Sequence, residues 1–134
     1  MESFVYEYPT KVYFGKGAAE RHLPGILSAY GSNVLLAYGG GSIKKNGVYE
    51  EITGILKAAG KNVTEFTGIM SNPTWEKVRE GAGLAREHKI DLVLAVGGGS
   101  VIDCCKIVCA QAVAGEDLWD LEMVRHKAPS KTPI

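Results

Sequence analysis

Residues 92–103, Leu92-Val93-Leu94-Ala95-Val96-Gly97-Gly98-Gly99-Ser100-Val101-Ile102-Asp103, decide the fold. The first five are continuously apolar, which is typical of a strand buried on both faces of a parallel sheet. Three glycines follow at once, and a helical pattern that is apolar on most sides then runs from about residue 101 to residue 114. A buried strand, a glycine loop and a packed helix in this order predict one unit of an α/β sheet.

The same order occurs 58 residues earlier, where the apolar run 34–38 precedes Gly39-Gly40-Gly41-Ser42-Ile43-Lys44-Lys45. Residues 62–66 form a weaker, alternating strand pattern, and residues 11–15 indicate a short N-terminal strand or hairpin. Helical patterns lie between the strands, at residues 19–30, 48–59 (ending at Gly60) and 75–85. We therefore predict an α/β fold, a Rossmann-like, open, mostly parallel sheet with helices on both faces. Both glycine triplets would lie at the carboxyl edge of the sheet, where such folds bind ligands.

The loop that begins at Gly97 is a candidate phosphate site, because glycines and a helix N-terminus let backbone N–H groups approach an anion. Ser100 is predicted to cap the helix, with Asp103 at a capping-box spacing. Capping alone does not explain three consecutive glycines, which cost backbone entropy on folding. The stretch is neither the usual dinucleotide fingerprint, since Ile102 stands where a third glycine is needed, nor a P-loop.

The loop that begins at Gly39 has a composition suited to the 2′-phosphate of NADP. NAD-binding sheets commonly present a carboxylate to the ribose 2′-hydroxyl at the tip of a neighbouring strand. No carboxylate occurs between Tyr38 and Glu50, and Ser42, Lys44 and Lys45 follow the glycines instead. The alternative interpretation is that the two lysines are only solvated.

The composition excludes several other classes of protein. The length of 134 residues allows one domain, and Lys+Arg balance Asp+Glu at 15 each, so we expect no nucleic-acid partner. No apolar stretch is long enough to span a bilayer, and we expect a cytoplasmic protein. Cys104, Cys105 and Cys109 fit neither a disulfide framework nor a zinc site. The three histidines are far apart in the sequence and match no metal-ligand motif.

The residues after the last helical pattern have two possible explanations. Residues 115–132 are polar, and Pro133-Ile134 resembles the start of a strand. The segment is either a disordered C-terminal tail or the boundary with a further domain of a larger protein.

The motifs in their order resemble those of the iron-dependent, group III alcohol dehydrogenases, and most closely the butanol dehydrogenase-like branch. The matching stretches cover nearly the whole chain: residues 9–17, 38–47, 71–74, 95–103 with Lys106, 119–121 and 132–134. Each stretch alone is weakly diagnostic, whereas the ordered set is highly specific.

This resemblance implies a cofactor-binding half of an oxidoreductase that acts on a primary alcohol or aldehyde. Residues 1–134 would be a single NAD(P)-binding α/β domain, and a helical domain holding a divalent metal such as iron or zinc would be absent. Gly97, Gly98, Gly99 and Ser100 would hold the pyrophosphate, with Asn72 and Asp103 near the cofactor. Gly39, Gly40, Gly41, Ser42 and Lys45 would receive the adenosine ribose.

Members of the family that prefer NAD tend to carry an acid where this chain has Gly39, so NADP is the expected cofactor, with NAD as the alternative. The family's metal ligands, an aspartate and several histidines, lie beyond residue 134. We therefore assign no catalytic or metal-binding residue, and expect the chain alone to be inactive. A homodimer is expected because dimers are common in the family.

Two other interpretations remain open. The chain could be a stand-alone nucleotide-binding module without catalysis, or a member of the glycerol dehydrogenase-like or dehydroquinate synthase-like branches, which share the GGG-x-x-x-D loop. Residues 38–47 argue against both branches. A flavodoxin-like mononucleotide binder does not match the order of the motifs.

Overall fold

Three parallel strands form the centre of the domain in the computed structural model, which describes residues 3–134. β1 (Asn33–Tyr38) lies between β2 (Asn62–Phe66) and β3 (Leu92–Val96). Val34 of β1 is opposite both Val63 of β2 and Leu92 of β3. All three strands were predicted from the sequence, and the parallel sheet is confirmed. The first two residues of the predicted domain lie outside the described residues.

Helices cover both faces of the sheet, as predicted. On one face pack α1 (Ala18–Leu27), the short α2 (Ser42–Lys45) and α3 (Val48–Ala58); on the other pack α4 (Trp75–Glu87) and α5 (Gly99–Val113). The first face buries Val34, Leu36 and Tyr38 of β1, and the opposite face buries Leu35 and Ala37. This division follows from the alternation of side chains along a strand.

The strand order explains why the helices divide in this way. α3 connects β1 to β2, which lies on one side of β1. α4 connects β2 to β3, which lies on the opposite side of β1, so this connection runs across the sheet in the opposite direction. Crossovers of one handedness that travel in opposite directions place their helices on opposite faces of the sheet. The central strand is therefore buried on both sides, and the outer strand β3 is only half-buried.

Local sequence signals fix two of the helix ends. The Thr74 hydroxyl accepts a hydrogen bond from the Lys77 N–H and caps α4. Gly60 has a φ of +68° just after α3, which is the left-handed conformation that commonly ends a helix. The start of α4 at Trp75 and the end of the α3 pattern at Gly60 agree with the helical patterns predicted from the sequence.

The short N-terminal strand or hairpin predicted at residues 11–15 is not formed. Residues 3–14 make no backbone hydrogen bonds with other described residues, and Val12 and Phe14 are 76% and 98% exposed. An alternating pattern produces a strand only where a neighbouring strand accepts its hydrogen bonds. In the described part of the chain, no strand pairs with this segment.

The segment after α5 packs on the domain and is not a disordered tail. Leu118 and Leu121 are buried, and a five-residue π-helix spans Asp120–Val124. The buried Gln111 side chain accepts from the Leu118 N–H at 2.8 Å and donates to the Glu116 carbonyl at 3.1 Å.

No helix within residues 3–134 has both the length and the apolar character of a bilayer span.

Candidate nucleotide-binding site

The two glycine triplets lie side by side at the carboxyl edge of the sheet. Tyr38, the last residue of β1, is opposite Val96, the last residue of β3. Gly39 and Gly97 therefore leave the sheet next to each other, as the parallel arrangement predicted. Val101 of α5 lies between them: a Cβ atom built on Gly39 would be 4.0 Å from Val101 Cγ2, and one on Gly97 would be 2.8 Å away.

The first glycine of each triplet is closely packed in this structure. Gly97 has a φ of +156°, and its Cβ would clash with Val101. A Cβ on Gly39 would lie 2.9 Å from the Ile69 carbonyl oxygen, because residues 68–69 cross the end of β1. The Gly68 N–H donates to the Gly39 carbonyl at 2.9 Å. The absence of a side chain at Gly39 thus has a packing explanation that is independent of any ligand.

The second and third glycines have no such explanation. Cβ atoms built on Gly40, Gly41, Gly98 and Gly99 would meet no heavy atom within 4 Å, and none of these residues has a positive φ. Neither packing nor backbone conformation requires glycine at these four positions. Their open surface instead allows a ligand to approach the backbone closely, which is the role of the second glycine in dinucleotide-binding loops.

The N-terminus of α5 provides hydrogen-bond donors beside this open surface. The Val101 and Ile102 N–H groups donate to the Gly98 carbonyl at 3.1 and 3.2 Å. The N–H groups of Gly99 and Ser100 have no acceptor within residues 3–134. Free N–H groups at the start of a 15-residue helix suit an anion such as a phosphate.

The predicted capping role of Ser100 is wrong. The helix begins at Gly99, and the capping position is Gly98, which has no side chain. Because the Gly98 carbonyl accepts the first helical hydrogen bonds, Ser100 falls inside the first turn. Asp103 is exposed and its carboxylate lies 3.7 Å from the Lys106 ammonium, so it completes no capping box.

The two lysines of the Gly39 loop have different surroundings. Both belong to α2, which is anchored by the buried side chain of Ile43. The Lys44 ammonium lies 4.8 Å from the centre of the Tyr49 ring and 5.7 Å from that of Tyr38. Lys45 is exposed and forms no ion pair with the described residues. Lys45 is therefore the lysine that a ligand phosphate could use.

A glutamate that the sequence did not single out joins the two tyrosines. Glu65 of β2 accepts one hydrogen bond from the Tyr38 hydroxyl at 3.1 Å and another from the Tyr49 hydroxyl. Burial, together with the bond to Glu65, raises the pKa of Tyr38, and the bond to Glu65 is the main reason that the pKa of Tyr49 is also raised. Nothing in the alternating pattern of residues 62–66 distinguishes this glutamate.

Asn72 lies in the loop between β2 and α4, after the segment that crosses Gly39. It is exposed, and its φ of +51° is a left-handed conformation that asparagine tolerates better than most residues. Its amide makes no hydrogen bond within the described part of the chain, so its role near a cofactor remains a prediction.

Potential metal ligands are dispersed. Within residues 3–134, no three His, Cys, Asp or Glu side chains come together at metal-binding separations. The His22 ring stacks on Tyr13, with 4.4 Å between ring centres. The three cysteines are free thiols, and burial raises the pKa of Cys105 to about 12. The residues present therefore do not fit a metal centre.

The chain is similar in sequence to part of several longer enzymes. The chain is 54% identical over 134 residues to a probable NADH-dependent butanol dehydrogenase of Bacillus subtilis, covering 100% of this chain and 34% of the relative. It is 41% identical over 120 residues to an NADPH-dependent aldehyde reductase of Escherichia coli, covering 88% of this chain and 30% of that enzyme. The chain thus spans about one third of the length of these relatives.

A solved structure and a family model match the chain in the same way as the sequence relatives do. The crystal structure of an NADH-dependent butanol dehydrogenase from Thermotoga maritima superimposes with a TM-score of 0.88 at 40% identity, covering 99% of this chain and 33% of that chain. The family model for iron-containing alcohol dehydrogenases matches residues 9–134. The chain therefore belongs to the iron-containing alcohol dehydrogenase family.

Proposed function

We propose that this chain binds NAD(P) at its paired glycine loops and forms the nucleotide-binding domain of a butanol dehydrogenase-like oxidoreductase. The observation that carries the proposal is the open surface at the second and third glycines of both triplets, beside the free N–H groups of α5. Gly97, Gly98, Gly99 and Ser100 would hold the pyrophosphate, and Asn72 and Asp103 would lie near the cofactor. Gly39, Gly40, Gly41, Ser42 and Lys45 would receive the adenosine ribose.

The chemistry of the complete enzyme would be supplied by the bound nicotinamide, which exchanges a hydride with a primary alcohol or aldehyde. The described residues would bind and orient the cofactor through the backbone donors of α5 and the polar side chains of the Gly39 loop. They offer no three-ligand metal group, so we assign them no part in metal binding. The metal ligands would belong to a separate helical domain, and a homodimer and a cytoplasmic location remain predictions.

We further propose that the Gly39 loop prefers NADP to NAD. Residues 39–45 contain no carboxylate to repel a 2′-phosphate, and Ser42 can donate a hydrogen bond. Lys45, which forms no ion pair with residues 3–134, would supply a cation. Charge-assisted hydrogen bonds contribute about 1.5–3 kcal/mol, which corresponds to an affinity ratio of about ten- to a hundredfold. Relatives of this chain are named for NADH and for NADPH, so membership of the family does not by itself fix the preference.

Cofactor titration of Gly40 variants tests this proposal. Gly40 is preferable to Gly39 because a side chain at Gly40 meets open space, whereas one at Gly39 presses on the Ile69 carbonyl. We expect Gly40→Asp to weaken NADPH binding about two- to fivefold relative to Gly40→Asn, which has the same shape without the charge. Equal NADPH and NADH affinities in the unmodified chain, or equal NADPH affinities in the two variants, would show that the loop does not face the ribose.

A second candidate is a stand-alone nucleotide-binding module without catalysis. It is favoured by the same loops and by the dispersion of potential metal ligands. The reading frame of the gene distinguishes the two functions. The alcohol dehydrogenase proposal requires that it encode a histidine-bearing helical region in addition to these residues.

A further inference from the structure

Four side chains from four elements meet behind the Gly39 loop. They are Tyr38 at the end of β1, Lys44 in α2, Tyr49 in the first turn of α3 and Glu65 in β2. We call Tyr38, Tyr49 and Glu65 the tyrosine–glutamate cluster. The proposed function assigns none of these four residues a contact with the cofactor, yet they adjoin the residues that it does assign.

The cluster is internally satisfied. Each oxygen of the Glu65 carboxylate accepts one hydrogen bond from a tyrosine hydroxyl, the first from Tyr38 at 3.1 Å and the second from Tyr49. The two rings are 5.7 Å apart between centres and meet at 68°, an edge-to-face arrangement. The carboxylate is therefore fixed by hydrogen bonds, and the ring faces are fixed with it.

Lys44 is held by this cluster. Its ammonium lies within 6 Å of both ring centres, the range in which a cation is attracted by an aromatic face. The Glu65 carboxylate accepts hydrogen bonds from the hydroxyls of both rings, and its negative charge adds to the attraction for the Lys44 ammonium. Lys45, the next residue, has neither an aromatic nor an acidic partner among residues 3–134.

The position of α2 depends on such anchors because a four-residue helix has almost no stability of its own. Ile43 attaches the helix to the core on one side, and Lys44 attaches it to the cluster. Fixing these two residues also fixes the directions of Ser42 before them and Lys45 after them.

We propose that Tyr38, Tyr49 and Glu65 are positioning residues that hold α2 through Lys44 and thereby set the discrimination between NADP and NAD. This inference rests on the proposed function of the Gly39 loop. With the cluster intact, Ser42 and Lys45 face the 2′-phosphate in one arrangement. With the cluster disrupted, α2 still binds adenosine but recognises the 2′-phosphate less well.

The test uses two probes that differ only in the 2′-phosphate, adenosine 2′,5′-bisphosphate and adenosine 5′-monophosphate. Their affinities are measured by NMR chemical-shift titration, which reaches the millimolar range and needs no nicotinamide pocket. We expect Lys44→Gln and Glu65→Gln each to lower the ratio of the two affinities by about two- to fivefold. The 5′-monophosphate affinity should stay unchanged, and Lys44→Arg should retain the ratio because a guanidinium also stacks on aromatic rings.

The direction in which Glu65→Gln changes the affinity for the bisphosphate distinguishes positioning from direct electrostatics. If electrostatics alone acted on the bound phosphate, removing a nearby negative charge would strengthen binding of the bisphosphate. The positioning role requires that it weaken. Tyr49→Phe, which keeps the ring and removes one hydroxyl, should weaken it in the same direction and guards against a folding defect of the first variant.

Two results would overturn the inference in different ways. A parallel loss of affinity for both probes, or stronger bisphosphate binding by Glu65→Gln, would refute the cluster's role in discrimination while leaving the proposed function intact. An affinity ratio near one in the unmodified chain would refute the 2′-phosphate proposal itself, and the inference with it.

Discussion

Replacing the open glycines at the start of α5 by alanine should weaken cofactor binding without harming the fold. Gly98 and Gly99 are exposed, have ordinary φ values, and would carry a Cβ into empty space. Because no native contact is disturbed, the double variant Gly98→Ala/Gly99→Ala loses nothing in packing. Inside a helix alanine is more stable than glycine by about 0.5–1 kcal/mol, which applies to Gly99. At the N-cap, where Gly98 lies, alanine is less favourable than glycine, so the free energy of unfolding should stay nearly constant.

Binding of the cofactor, by contrast, should weaken. Two methyl groups would occupy the surface through which a phosphate reaches the Gly99 and Ser100 N–H groups. Hydrogen bonds to charged groups are worth about 1.5–3 kcal/mol, and losing one corresponds to about a ten- to hundredfold loss of affinity. We therefore expect binding to fall while stability is kept.

Calorimetric titration with NADPH and thermal unfolding of the same preparations measure the two effects. Gly54→Ala is the matched control, because Gly54 is an exposed glycine in α3 whose Cβ would also meet nothing within 4 Å. The control should gain stability and bind NADPH as the unmodified chain does. Unchanged affinity in the double variant would refute the assignment of the pyrophosphate to this loop, and an unfolded double variant would refute the claim that the fold does not need these glycines.

Three further predictions concern the fold, pH and activity. Gly97→Ala should destabilise the domain by about 1–3 kcal/mol in urea unfolding, since it combines a strained φ with a clash against Val101. Desolvation acts to raise the pKa of Asp117, but hydrogen bonds from Arg79, the Asp120 N–H and Trp75 outweigh it and lower that pKa. Asp117 should therefore stabilise the domain above its unfolded-state pKa, and urea midpoints measured from pH 6 to pH 2 should show this stabilisation being lost as pH falls through the lowered value, but not in Asp117→Asn. The 134-residue chain should not oxidise butanol with either cofactor and added Fe²⁺ or Zn²⁺, because residues 3–134 assemble no three-ligand group; metal-dependent NADH or NADPH production would contradict this.

The strands and helices could be predicted because their patterns are local. The apolar runs before each glycine triplet, the helical pattern that begins at residue 75 and the helix end at Gly60 depend on residues a few positions apart. The same kind of pattern failed at residues 11–15, where strand formation depends on a neighbouring strand that the described residues do not supply. The packed segment after α5 was also missed, because Leu118 and Leu121 are too few to produce a periodic signal.

The site was predicted at the level of loops but not of individual contacts. Two glycine triplets after parallel strands had to share an edge of the sheet, and the pairing of Tyr38 with Val96 places them there. The sequence could not show that Gly98 precedes the helix as its cap, because that depends on which carbonyl accepts the first helical hydrogen bonds. Nor could it show that Glu65 joins Tyr38 and Tyr49, because these residues come from three separate elements.

The three glycines of each triplet have different structural explanations. Ile69 and Val101 occupy the space that a Cβ at Gly39 and at Gly97 would need, so packing gives each of these glycines an explanation that is independent of a ligand. Their successors face open space, and only an external partner gives a reason to leave that space empty. Glycine at position 39 therefore has a packing explanation as well as a cofactor explanation, whereas Gly40, Ser42 and Lys45 support 2′-phosphate binding without that ambiguity. A substitution at Gly39 would confound charge with strain against the Ile69 carbonyl, whereas the comparison of Gly40→Asp with Gly40→Asn changes the charge at constant side-chain shape.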